Sequence, residues 1–161
     1  MTRRPAPKGW CPSSLRPMES GDGYIVRIKP AFGRVTRAQL EKIAHLADRF
    51  GNGIIELTNR ANLQLRGVSM ADHPALIDAL VQAGLVDMDP DMDAAPQILV
   101  APNCDADIRN LYDHLRRAKL PNLPAKFGMV LEQGGQMLMQ ASGDIRLCAL
   151  GDQVVVWADG C

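Results

Sequence analysis

The stretch "LTNRANLQLRG", residues 57–67, decides how the first half of the chain folds. From Asn62 to Arg66 the side chains alternate, with Leu63 and Leu65 to one side and Asn62, Gln64 and Arg66 to the other. A period of two is the mark of a strand with one core face. The opposite face carries two carboxamides and a guanidinium, and Thr58, Asn59 and Arg60 stand just before it. Two readings fit that polar face. One is a solvated sheet surface, because antiparallel sheets often keep one wet side. The other is an anion site, because Asn, Gln and Arg form directed hydrogen bonds where a merely wet face favours Lys, Glu and Thr.

Working outward, YIVRIKP (24–30) places Tyr24, Val26 and Ile28 on one side and Ile25, Arg27 and Lys29 on the other, a strand stopped by Pro30. Thr36 is a helix N-cap, followed by an apolar stripe of Ala38, Leu40, Ile43, Ala44, Leu46, Ala47 and Phe50, with Gly51 as the stop. A strand at 53–58 pairs with the one at 62–67, and His73 to Ala83 is a second amphipathic helix ending at Gly84. A short strand near Leu85–Met88 would complete a ferredoxin-like βαββαβ unit over 24–90. In such a sheet the first and third strands are neighbours, so Arg27 and Lys29 share a face with Asn62, Gln64 and Arg66. Three cations on one face suit a ligand with several carboxylates. An ordinary exposed strand face is the competing account of Arg27 and Lys29.

Residues 1–23 are rich in proline and glycine and read as an arm. DMDPDMDAAPQ (87–97) reads as an acidic linker or surface loop. The second unit, 97–161, begins with a buried strand ILVAP (98–102), a helix over 105–120 capped by Asp105, and a PNLP breaker at 121–124. Strands follow at 127–133, 136–142, 145–151 and 153–159, with turns expected at GG, SGD and GD. The fold class is α+β, the second unit stopping in a run of strands before its natural partner elements. An incomplete unit of this kind is expected to leave a sheet edge or apolar face exposed.

Composition narrows the function. The 161 residues contain 47% hydrophobic and 22% charged residues, and Lys+Arg equals Asp+Glu at 18 each, so any anion site is local. Aromatic residues make up 4%, which weighs against base stacking and a nucleic-acid partner. The basic start MTRRPAPKG leads into no signal-like apolar run, and no stretch approaches a membrane span, so a cytoplasmic location is the expectation. Cys11, Cys104, Cys148 and Cys161 form no closely spaced pair, which favours reduced structural thiols over a zinc or iron–sulfur site. His45, His73 and His114 are too dispersed for a metal set, and Met129 to Met139 read as core filler. Lys126, after the breaker, is either a point charge for an anion or a solvated lysine. Ser–His–Asp spacing, GxGxxG and P-loop patterns are absent, and no catalytic residue is assigned.

Three ordered blocks, "KGWCPSSLRPMESGDGYIVRIKP", "FGNGIIELTNRANLQLRGV" and "LPAKFGMVLEQGG", resemble the N-terminal half of the precorrin-3B synthase branch of the nitrite and sulfite reductase superfamily. The resemblance implies a ferredoxin-like half-domain followed by a nitrite/sulfite-reductase-type catalytic half-domain, a pair that is duplicated in full-length members. It implies that Thr58, Asn59, Arg60, Asn62, Gln64 and Arg66, with Arg27, Lys29 and Lys126, line a pocket for a carboxylate-rich tetrapyrrole, either a precorrin or sirohaem. The family reaction it implies is an oxygen-dependent hydroxylation of precorrin-3A with lactone formation in cobalamin biosynthesis, using a [4Fe–4S] cluster and a further iron centre. Cluster cysteines belong to the C-terminal repeat, so the chain alone is expected to lack the cluster and to need that repeat or an electron donor as partner. Sulfite reductases carry a second lysine where this chain has Gly128, which disfavours sulfite reduction. A fragment of a sirohaem-dependent reductase and a non-catalytic tetrapyrrole-binding module remain the alternatives.

Overall fold

The computed structural model describes residues 11–118, 123–124, 126–134, 141 and 143–158. The expected strand at 136–142 lies outside these apart from Ala141, as does Cys161. Strands β1 (Met18–Ser20), β2 (Gly23–Ile28), β3 (Ile55–Leu57) and β4 (Leu63–Val68) form one antiparallel sheet in the order β1-β2-β4-β3. Helices α1 (Arg37–Phe50) and α2 (His73–Gln82) cover one face of it.

Thr36 begins α1 with a capping box: its side chain accepts from Gln39 N, and the Gln39 side chain accepts from Thr36 N. The helix buries Ile43, Leu46 and Ala47 against Val26, Ile28, Leu63 and Leu65, with Leu76 and Leu80 of α2 completing the core. Strand β4 lies between β2 and β3, the split βαβ arrangement expected from the hydrophobic pattern.

The fourth strand differs from the expectation. Residues 85–88 form no strand; the chain turns at Gly84 (φ 66°) and buries Leu85 in the core, where its N–H donates to Leu80 O at 3.0 Å. The open edge of β2 is taken instead by β1, from the arm, through a hairpin that turns at Gly21–Gly23. Gly23 sits at φ 120°, and a Cβ there would lie 2.8 Å from the Gly67 backbone.

The linker contains a short helix, α3 (Pro90–Ala94), capped by Asp89, whose carboxylate accepts from Asp91 N at 2.9 Å. Beyond it, β5 (Gln97–Val100), β6 (Gly128–Gln133), β7 (Ile145–Leu150) and β8 (Gln153–Ala158) form a second sheet in that order. Helix α4 (Ala106–Arg117) crosses from β5 to β6, capped by Asp105, which accepts from Asp107 N and Ile108 N. β6 and β7 are direct parallel neighbours, which a single tight turn cannot connect; the turns expected at GG and SGD lie partly outside the described residues. The GD turn does close a hairpin, β7–β8, with Gly151 at φ 61°.

Tyr112 and Ile108 of α4 pack on Met129, Leu131 and Leu147. The other face of this sheet holds a buried ion pair between adjacent strands: Arg146 Nη1 donates to Glu132 Oε1 at 2.5 Å, and Arg146 Nη2 donates to Ala141 O at 2.9 Å. At the sheet's end, β8 exposes Val154, Val155 and Val156, and among the described residues no strand pairs with its outer edge. The two units are joined by a ring contact, Phe32 on Tyr112, with centroids 4.2 Å apart. Among the described residues no helix is long and apolar enough to cross a membrane.

Candidate functional site

The polar face of the opening hairpin is not a solvated surface. Asn62 is 2% exposed and Gln64 8%, so both faces of β4 are buried at these positions. A row of side chains crosses three strands here, because Arg27 of β2 pairs with Gln64 of β4, which pairs with Glu56 of β3. Oriented to satisfy both neighbours, the Gln64 carboxamide accepts from Arg27 Nη2 at 2.8 Å and Nε at 3.1 Å and donates to Glu56 Oε2 at 3.1 Å. Gln64 thereby fixes the guanidinium of Arg27 and leaves part of its donor fork available.

Thr58 organises the loop. Its N–H donates to Asn62 O at 3.0 Å, and its Oγ1 accepts from Asn62 N at 3.2 Å and Arg60 N at 3.4 Å. Ala61 closes the turn at φ 53°, and Asn59 is exposed at its tip. The result is a rigid platform from which Arg60 projects into a cleft.

That cleft, about 880 Å³, is lined by the first sheet, the arm, the linker and the end of α4. Its volume falls within the roughly 300–1,000 Å³ typical of ligand pockets. Arg27, Lys29, Arg60 and Asn62 line it. Asn62 Oδ1 is buried without a hydrogen-bond partner among the described residues, as is Oε1 of Gln97 on the second unit's wall.

Lys29 has a more specific placement than the sequence indicated. Its ammonium donates to the main-chain carbonyls of Asp93 at 2.6 Å and Ala95 at 3.1 Å, pinning the linker to β2. Burial lowers its pKa, with Asp93 pulling the other way and the like charges of Arg27 and Arg116 adding to the depression. Asp93 in turn accepts from Ser14 N and Leu15 N at 3.1 and 3.2 Å, and Ser14 Oγ donates to Arg27 O at 2.7 Å. Arm, strand and linker are thus knotted at one wall of the cleft.

Five of the nine expected residues do not line the cleft: Thr58 and Asn59 belong to the supporting loop, Gln64 braces Arg27, and Arg66 and Lys126 lie elsewhere. Arg66 donates to Asp22 at 2.8 Å, to Ser20 at 2.9 Å and to Glu56 at 3.4 Å, holding the β1–β2 hairpin to β4. Lys126 is exposed in the turn before β6 and is not among the residues lining the cleft. The Arg66 contact carries a pH signature. Its hydrogen bond is the main cause holding the Asp22 carboxyl at about 2 instead of 3.8. A carboxylate with a depressed folded-state pKa stabilises the fold above its ordinary value and ceases to do so as pH falls through its folded value. Melting temperature should therefore drop between about pH 4 and pH 2, modestly because the group is solvent-screened. The Asp22→Asn protein should show a flatter profile; identical slopes would contradict this role.

Sequence reasoning missed Arg16, Arg116, Arg117 and Gln97, all of which line the cleft. The adjacent arginines at the end of a predicted helix were the available signal, but such residues also suit a helix C-terminus without any ligand. Among the described residues no group of three or more His, Cys, Asp and Glu could hold a metal ion. Cys104 and Cys148 are buried, and burial pushes the Cys104 thiol up, away from the thiolate form. The guanidinium and ammonium groups lining the cleft suit anionic oxygens.

Residues 16–83 match the family model described as the nitrite/sulfite reductase ferredoxin-like half domain. The first unit is therefore a half-domain of that superfamily, an α+β module of an oxidoreductase family. Among curated proteins, precorrin-3B synthase from Sinorhizobium sp is 38% identical over 150 residues, covering 89% of this chain and 33% of that protein. The chain belongs to the nitrite and sulfite reductase superfamily as a precorrin-3B synthase-like member. More distant relatives are ferredoxin–nitrite reductases: that of Leptolyngbya laminosa is 29% identical, covering 76% of this chain and 27% of that protein. The chloroplastic enzyme of Zea mays is 26% identical over 80% of this chain and 22% of its own length. The chain thus spans about a third of the length of the synthase it matches.

Proposed function

We propose that this chain is the N-terminal, tetrapyrrole-holding part of a precorrin-3B synthase-like oxidoreductase of cobalamin biosynthesis. The observation that carries this reading is Arg27 and Arg60 lining one cleft, with Arg27 braced by a buried carboxamide and neither arginine forming an ion pair among the described residues. Guanidinium groups held in this way bind carboxylates in bidentate fashion, and a precorrin presents carboxylates around its rim. The bound iron groups of the full-length protein would supply the redox chemistry. The residues of this chain bind and orient: Arg27 and Arg60 take carboxylates, Gln64 fixes the angle of Arg27, and Asn62 Oδ1 offers an acceptor inside the cleft. The partner of this module is the C-terminal repeat or an electron donor.

Uroporphyrin III, an eight-carboxylate tetrapyrrole, tests the reading by titration against its absorption band. Wild-type chain should bind saturably, and Arg60→Ala and Arg27→Ala should each weaken binding about tenfold or more, the scale of one charge-assisted contact. Absence of saturable binding, or wild-type affinity in both variants, would refute the proposal.

The nitrite reductase relatives, which match over three quarters of the chain, favour sirohaem as a second candidate ligand. Gly128 bears on it: a Cβ there would lie 3.7 Å from Gln97 O, so the backbone leaves room for a side chain and glycine is not sterically required. Sirohaem binding tighter than that of a metal-free uroporphyrinoid would favour the reductase reading.

A further inference from the structure

We infer that Arg116 and Arg117, in the last turn of α4, form a second cationic wall of the cleft and bind carboxylates of the same ligand that Arg27 and Arg60 hold from the first unit. The inference rests on the tetrapyrrole reading and adds to it that both units grip the ligand at once. Among the described residues, six cationic ones line the cleft, Arg16, Arg27, Lys29, Arg60, Arg116 and Arg117, against three acidic ones, Asp89, Asp91 and Asp93. This excess stands in a chain whose formal net charge is zero.

Two of the acidic groups are already occupied: Asp93 by the Ser14 and Leu15 N–H groups, and Asp89 by Asp91 N. Asp91 is exposed in α3. Neither Arg116 nor Arg117 forms an ion pair among the described residues. A helix C-terminus accounts for basic residues in its last turn. It does not account for their placement beside other cations, and Arg116 and Arg27 both act as like charges on the buried Lys29 ammonium. Bringing cations from β2, the 58–62 loop and α4 into one partly dry cleft is unfavourable unless an anion joins them. A small anion could satisfy one wall, whereas a polycarboxylate with charges on opposite edges satisfies both.

Uroporphyrin III titration of four proteins tests this: wild type, Arg60→Ala, the double variant Arg116→Ala/Arg117→Ala, and Arg109→Ala, a surface arginine of the same helix that does not line the cleft. The double variant should bind about tenfold more weakly or worse, as Arg60→Ala does, while Arg109→Ala binds like wild type. Raising salt should shrink the gap between wild type and the double variant. Arg116→Lys/Arg117→Lys should recover part of the loss, which a purely structural defect would not show. Wild-type affinity in the double variant alongside weakened Arg60→Ala overturns the second wall and leaves the tetrapyrrole reading standing. No binding by wild type overturns both.

Discussion

Arg146→Met is expected to cost about 3–5 kcal/mol of stability, the scale for removing one partner of a buried ion pair. Glu132 is 0% exposed and Arg146 6%, between neighbouring parallel strands of the second sheet. Without the guanidinium, the fully buried Glu132 carboxylate loses its 2.5 Å charge-assisted contact, which raises the cost of keeping it ionised. Chemical denaturation of the second unit should show the loss directly. The double variant Glu132→Leu/Arg146→Met should recover much of it, because replacing both charges with apolar side chains removes the desolvation penalty along with the attraction. A loss in the double variant as large as in the single one would show that the pair matters for some reason other than mutual compensation.

Gly51→Ala should cost about 3 kcal/mol, at the upper end of overpacking penalties because the clash is with backbone. Gly51 ends α1 and faces β4: an added Cβ would lie 2.4 Å from Arg66 O and 3.0 Å from Ala47 O. Arg66 O already accepts from Asn52 N at 3.0 Å, so the strand cannot move away without breaking that bond. Thermal melting compared with Gly21→Ala, where a Cβ meets nothing within 4 Å, provides the check. Equal melting temperatures for the two variants would contradict it. The strand displaced is the one that carries Gln64, so Gly51→Ala should also weaken uroporphyrin binding while leaving Arg27 and Arg60 in place chemically.

Local pattern explains which parts of the fold could be read in advance. Thr36, Gln39 and a regular apolar stripe specify α1, and the alternation of Leu63 and Leu65 specifies β4, because each signal lies within a few residues. Strand β1 has three residues and no periodicity to detect, so its role on the edge of β2 follows from tertiary pairing alone. The parallel pairing of β6 and β7 likewise follows from tertiary arrangement, which the alternation within each strand does not specify. At the site, residue chemistry picked out Arg27, Arg60 and Asn62, which the structure brings to one cleft. The same chemistry could not tell a ligand contact from a fastening, which is what Arg66 and Thr58 supply. Arg116 and Arg117 belong to the cleft through the packing of one unit on the other, a relation that no spacing along the chain encodes.

The bonds from Ser14 and Leu15 to the Asp93 carboxylate join residues 79 and 78 positions apart. Closing a loop of that length carries an entropic cost before its contacts give anything back, so such contacts form late. The first sheet and its helices can assemble from nearer pairings, but the wall made by arm and linker must wait for both chain segments to arrive. During refolding, recovery of helical signal should therefore precede recovery of porphyrin binding. The interval between them is the time the protein spends with its secondary structure in place and its cleft still unmade.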